Sequence, residues 1–189
     1  SGRDHVAGEF TFADGQLRLA GVPALTDVNG TLAFTESDLS ADAIAASVLG
    51  GPAQISIGRN DGKVQVTATG SAAIPALRTE FELPFAGRFS GPVPWTFALA
   101  LGEASPSWSA ESTLKGTVID LPPPLGKTAD GSVRVRIART PAPDGSDFLT
   151  VSYGDVLDAT LRQRTGADGR VVTERGLLEL GAARGGALP

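Results

Sequence analysis

The sequence predicts a mainly β fold, an antiparallel meander of short strands with helix confined to one or two short pieces near residues 75–90. Two patterns carry that expectation. Apolar residues recur at every second position over most of the chain, which suits strands with one dry and one wet face. Asp-Gly steps at Asp14-Gly15, Asp61-Gly62, Asp130-Gly131, Asp144-Gly145 and Asp168-Gly169 punctuate the runs, and Asp and Gly accept the positive φ of tight hairpin turns.

Taken in order, the first strand runs from Val6 to Phe12 and the second from Val28 to Phe34. Asn29-Gly30 reads as a turn by itself, yet it lies inside the second strand. Leu39 to Leu49 is Ala-rich, but Ile44, Ala46 and Val48 alternate, so strand is expected there. Gly50-Gly51-Pro52 predicts a bulge or sharp bend; it lacks the Lys-Ser/Thr and following helix of a phosphate loop. Ile55 and Ile57, then Val64 and Val66, form a strand pair joined through Asn60-Asp61-Gly62.

Pro75 and Pro84 suit the first turn of a helix, where the missing N–H costs nothing. Helices are therefore expected over 75–82 and 84–90, the second placing Phe85 and Phe89 on one side. The clearest strand follows: Val93, Trp95, Phe97, Leu99 and Leu101 share a face opposite Pro94, Thr96, Ala98 and Ala100. Pro122-Pro123-Pro124 cannot sit in a central strand and predicts a rigid connection or an edge. Val133, Val135 and Ile137 alternate with Arg134 and Arg136, and further strands are expected over Leu149–Tyr153, Leu157–Leu161 and Val171–Leu180. The chain thus divides as one β module, 1–189, with sub-repeats 1–70 and 91–181 flanking a helical segment, 74–90.

Composition narrows the function. The net charge of −5, with 16 Lys and Arg scattered among 21 acids, argues against nucleic acid, which needs a clustered basic surface. No apolar run approaches the roughly 20 residues of a membrane-spanning helix. There is no Met and no basic-then-apolar start, so the chain is expected to be a piece of a longer polypeptide, its anchor or export signal lying outside. The tail from Gly181 to Pro189 is expected to lead into the next part of it.

Chemistry is sparse. His5 is the one histidine and there is no Cys, which leaves Ser-His-Asp, Cys-His and zinc arrangements without parts. Asp27, Asp42, Asp120, Asp155 and Asp158 are the candidates for a paired-carboxylate hydrolase, but no aromatic-rich sugar cleft accompanies them. A non-enzyme with no metal and no cofactor is expected. What remains is an apolar face, on which alternation places Phe10, Phe12, Val28, Leu32, Phe34, Ile55, Ile57, Val64, Val66, Trp95, Phe97, Leu99, Val133, Val135, Ile137, Leu157 and Leu161. Two such faces could bury each other as a closed sandwich core. Alternatively one curved sheet keeps its face open as a groove for acyl chains. Periodicity accommodates both.

Several blocks together resemble the AsmA-like, YhdP-type family of large bacterial envelope proteins. They are Leu25-Thr-Asp-Val-Asn-Gly-Thr-Leu-Ala-Phe34 with Leu39-Ser-Ala-Asp and Leu49-Gly-Gly-Pro52, then Phe89-Ser-Gly-Pro-Val-Pro-Trp95 after the helices. Ser112-Thr-Leu-Lys-Gly-Thr-Val-Ile-Asp-Leu-Pro-Pro-Pro-Leu-Gly-Lys127 is the most specific, and Glu174 to Leu180 followed by Gly181 resembles the family's strand-plus-Gly ending. The resemblance implies a curved, taco-like β-groove in the periplasm, in a parent anchored in the inner membrane by a segment outside this chain. It implies phospholipid or another acyl-chain lipid as the partner, moved between the inner and outer membranes, and the rest of the same polypeptide as the structural neighbour. It brings no catalytic residues. The competing expectation is a β-sandwich that spaces or docks other envelope components.

Overall fold

The computed structural model describes residues 7–18, 22–36, 38–60, 62–82, 86–101, 105–166 and 169–181. The chain runs β1 (Ala7–Leu17), β2 (Leu25–Thr35), β3 (Leu39–Val48), β4 (Gly51–Asn60), β5 (Lys63–Ala73), helix α1 (Ile74–Phe81), a 3-10 turn (Ala86–Arg88) and β6 (Phe89–Ser90). It continues with β7 (Pro92–Leu101), β8 (Ser107–Ser112), β9 (Val118–Ile119), β10 (Val135–Pro141), β11 (Asp147–Tyr153), β12 (Leu157–Thr165) and β13 (Val171–Leu180). Eleven strands form one sheet in the order β1-β2-β3-β4-β5-β7-β8-β10-β11-β12-β13, while β6 and β9 pair separately. Every neighbour in the large sheet is antiparallel, and the sheet does not close on itself. At ~4.8 Å per strand it measures about 48 Å between its edge strands, a size at which open sheets curl.

A meander sends alternate connections to opposite ends of the sheet. Short connections occupy one end, the tight-hairpin end, including β4–β5 and β10–β11, where Gly62 and Gly145 take positive φ as the Asp-Gly steps predict. The opposite end receives the long connections, residues 74–91 with α1 and residues 113–134 with the Pro-rich run. It also holds the β3–β4 turn, where a bulge or sharp bend was expected and Leu49 (φ 53°) and Gly50 (φ 74°) reverse the chain as a two-residue hairpin. Such paired positive angles match the twist of the flanking strands.

The elements depart from expectation in particular ways. Asp14-Gly15 lies within β1 and opens an irregularity between Phe12 and Gly15, with Asp14 at φ 49°, so it is no hairpin. Asp130-Gly131 turns inside the 113–134 connection, not between two sheet strands. The β12–β13 hairpin closes through Gly166 and Arg170, and Asp168 is outside the described residues, as are Asp61, Phe85 and His5. Pro75 does open α1, which ends at Glu82 in the left-handed region. Of the second helix expected over 84–90, Pro84 and Phe85 lie outside the described residues, Ala86–Arg88 form a 3-10 turn, and Phe89 is already strand. Val133 precedes β10. β8, a run of small and polar residues around Trp108, was not expected at all.

Asn29-Gly30 stays in strand, as read, because Gly30 occupies φ 150° where a Cβ would stand 3.0 Å from the carbonyl oxygen of Ala43. The adjoining register shifts in β2 and β3 bend the sheet locally. A buried cluster sits there, made of Val28, Ala41, Ile44, Ala46, Val48 and Ala53, with Phe12, Leu32, Ile55, Ile57 and Trp95 packed on it. Its strand members come from β1, β2, β3, β4 and β7, so the face is concave enough for its own side chains to meet. α1 contributes no buried side chain and is not a second layer.

Candidate functional site: an uncovered apolar face

Strand register decides which side chains share a face, since residues directly opposite point the same way. One row reads Ile57, Val66, Leu99, Trp108, Arg139, Leu149, Leu161 from β4 to β12. The next reads Ile55, Ala68, Phe97, Ala110, Ile137, Val151, Ala159, Leu178. Toward the broad end Val135, Tyr153, Leu157 and Leu180 follow, and at the other side Phe10, Phe12, Leu32 and Phe34 join through Leu39 and Ala41. All the strand residues expected on the apolar face therefore fall on one face of one sheet. Missed were Trp108, Ala110, Leu149, Val151, Tyr153, Leu178 and Leu180. Trp108 and Ala110 do alternate, but Ser107, Ser109 and Glu111 between them weaken the strand signal.

Burial separates the two alternatives left by the sequence. Only Val28 among the expected residues is buried, at 4% exposure, and the others are half-buried or exposed, Phe10 reaching 57%. Leu178 and Leu180 on β13 stand at 61% and 69%. A second β layer against this face is absent among the described residues. The described residues thus form one open sheet, without a second sheet packed on it as in a sandwich.

The floor of the face is kept low. Gly8, Gly70 and Gly176 lie directly opposite Phe34, Trp95 and Leu161, and a Cβ on each glycine would strike that partner's side chain at 2.5–2.9 Å. Each large side chain therefore lies across the neighbouring strand. Phe97 and Trp108 stack with centroids 6.2 Å apart, extending the same flat surface. The opposite face is polar: Gln54, Ser56, Gln65, Thr67, Thr69, Thr96, Thr150 and Asp158 alternate with the apolar set. Arg136 meets Glu111 across strands at 3.4 Å there.

The apolar face has two different margins. At the tight-hairpin end Arg139 bonds buried Asp147 at 2.7 Å and the Pro106 carbonyl at 3.1 Å, with Gln163 opposite Asp147. At the broad end stands the 113–134 connection. Lys127 lies in a cradle of three carbonyls, donating to Leu114 (2.7 Å), Thr128 (2.8 Å) and Thr117, so its three N–H groups are all used. Buried Thr117 donates to the Pro92 carbonyl at 2.6 Å, and Ile119 exchanges backbone bonds with Lys127. Tyr153, on the apolar face, donates its hydroxyl to the Leu125 carbonyl at 2.6 Å. Burial raises the Tyr153 pKa above its ordinary 10, a value at which the phenol is already a donor at neutral pH.

The carboxylates expected to matter for hydrolysis stand on separate elements. Asp27 is on β2 at a positive φ of 51°, Asp42 on β3, Asp155 in the β11–β12 turn and Asp158 on β12, all exposed. Asp120 pairs with Arg88 at 3.1 Å. No group of three or more metal-binding side chains occurs among the described residues.

A family model described as YhdP protein matches residues 1–188. This chain belongs to the YhdP family. No curated protein and no solved structure gives a significant match. The YhdP match spans the element order set out above, including the connection fastened by Lys127. No described helix is long and apolar enough to cross a membrane.

One titration is expected to be visible on the polar side. The Ser146 hydroxyl and N–H, followed by the Arg162 and Arg164 charges, hold Asp144 at about 2, below its ordinary 3.8. A depressed carboxylate stabilises the fold fully above its unfolded pKa and loses that contribution as pH falls through the folded one. Thermal melts of the wild type and Asp144→Asn should differ by a constant amount above about pH 4 and converge toward about pH 2.

Proposed function

We propose that this chain is a non-catalytic segment of a bacterial lipid-transport bridge, its apolar sheet face contacting phospholipid acyl chains between the inner and outer membranes. The reading places it in the periplasm, in a parent anchored in the inner membrane by a segment outside this chain. The observation that carries it is the uncovered face: a series of apolar side chains on one side of one sheet, with only Val28 of those expected from sequence buried. Membership of an envelope family supports the same setting.

The physics suits conveyance. Apolar contact is non-directional, so a chain sliding along the face exchanges equivalent contacts without breaking hydrogen bonds. Each methylene fully withdrawn from water contributes about 0.8 kcal/mol, so ten half-covered methylenes give on the order of 4 kcal/mol, enough to hold and weak enough to release. Transport of this kind requires no acid, base or metal.

The test is native mass spectrometry of the chain after incubation with vesicles of phosphatidylethanolamine and phosphatidylglycerol. Adducts at intact phospholipid masses are the expected result. A spectrum of bare protein only, at lipid concentrations that load a known acyl-chain carrier, would favour the second reading, a module that docks other envelope components.

A further inference from the structure

We propose that the 113–134 connection is a stop at the broad end of the apolar face, so that acyl chains lie across the strands and do not run off their ends there. The inference rests on the lipid reading above and adds to it a direction and two positioning residues, Lys127 and Tyr153.

The argument begins with the asymmetry of the ends. An open sheet whose apolar rows reach both strand ends would let an alkyl chain leave at either. Here the broad end carries a folded connection. Leu114, Thr117 and Ile119 are buried within it, and Thr117 fastens it to the first residue of β7. Two further attachments differ in kind. Lys127 joins Leu114, Thr117 and Thr128, positions on both sides of the β9 turn, through one ammonium, which makes the connection a unit. Tyr153 joins that unit to the apolar face, because its ring belongs to the row of Val135 and Leu157 while its hydroxyl holds Leu125. A Cβ at Gly126 would stand 2.0 Å from the Leu121 carbonyl oxygen, so the chain doubles back tightly just beyond Leu125. The Pro residues that shape this segment cannot pair as strand, which keeps it a stop and not a twelfth strand.

The charge of Lys127 also matters to its place. A bare ammonium beside an acyl path is costly, and three carbonyls neutralise its demand for partners. The lysine therefore fixes the connection without presenting a free cation to the face.

The test uses a phosphatidylethanolamine whose acyl chain ends in a diazirine, incorporated into vesicles, photolysed with the full chain and mapped by peptide mass spectrometry. In the wild type, label is expected on the central rows around Phe97, Leu99, Ile137 and Val151, and not at Val93, Leu157 or the 119–126 segment. Tyr153→Phe removes one hydrogen bond and keeps the ring. It should raise label at Val93 and Leu157 roughly five-fold while the central rows are unchanged. Lys127→Met, which keeps the length and removes the charge, should do the same with loss of amide-exchange protection at Ile119 and Lys127 alone. Wild-type label already present at Val93, Leu157 and 119–126, equal to the central rows, overturns the stop and leaves the lipid reading standing. Unchanged label patterns in both variants, with the Ile119 and Lys127 amides released, also overturn it. Absence of label anywhere on the face removes the lipid reading and the stop with it.

Discussion

Gly51→Ala is expected to destabilise the sheet by about 3 kcal/mol or more, lowering the melting temperature by roughly 6–12 °C for a chain of this size. A Cβ built on Gly51 stands 1.8 Å from the carbonyl oxygen of Ser71. The obstacle is backbone, so no rotamer change relieves it, and β4 and β5 must separate where they lead into the β3–β4 hairpin and α1. The hairpin next to it is already demanding, with Leu49 and Gly50 both at positive φ. Ala73 donates its N–H to the Leu49 carbonyl at 2.9 Å, so displacement of β5 also loosens the start of α1. Gly58→Ala, in the same strand with open space about its Cβ, is the control and should move the melt by much less. Equal melting of the two variants would refute the steric account.

How much of this was readable beforehand follows from where the information resides. Strand existence was legible wherever large apolar residues alternated, because alternation is itself the consequence of a sheet with one dry face. β13 was read with both its bounds, Val171 and Leu180, and β7 nearly so. β8 was not legible because two of its three inward positions, Ala110 and Ser112, are small, and its strand identity comes from pairing with β7 and β10 on either side. The same local blindness explains the Asp-Gly steps. Asp144-Gly145 turns a hairpin, but Asp14-Gly15 is absorbed in β1 because β2 continues opposite to it, as far as the Leu17–Leu25 pair. A turn dipeptide reports permitted φ values, and only the neighbouring strand decides whether the chain reverses. The inward set of the candidate face was likewise legible, since period two fixes it. Whether another layer covers that face was not, because a sandwich and an open sheet present the same alternation. The Lys127 cradle was visible only as a motif: carbonyl acceptors have no letter in a sequence.

Phe97→Asp and Ile137→Asp are expected to leave the chain folded while weakening phospholipid binding by at least about tenfold. A carboxylate placed in a closed core loses water on all sides and costs several kcal/mol, usually enough to unfold a domain. Phe97 and Ile137 are instead half-buried on an uncovered face, where an aspartate can keep solvent at one side. The fold then loses mainly the packing of the ring against Trp108, or of one β-branched side chain, and the melt should drop by only a few degrees. An acyl chain lying there suffers more. It must either cover the charge, paying its desolvation, or give up the contacts of that row, and about 1.4 kcal/mol of lost contact is already tenfold in affinity. Two controls fix the interpretation. Ile44→Asp strikes the buried cluster at 6% exposure and should unfold the N-terminal strands. Thr67→Asp places the same charge on the polar face of β5 and should change neither melting nor lipid adducts. If Phe97→Asp and Ile137→Asp unfold as Ile44→Asp does, the face behaves as a closed core and the conveyance reading fails. Folded variants that bind lipid like the wild type would instead place the acyl chains away from these rows. Because β7 and β10 lie on either side of β8 near the middle of the sheet, a charge at either position also interrupts any continuous path across the strands. In the full-length protein, therefore, one substitution in this segment should slow lipid movement even where every other segment is intact.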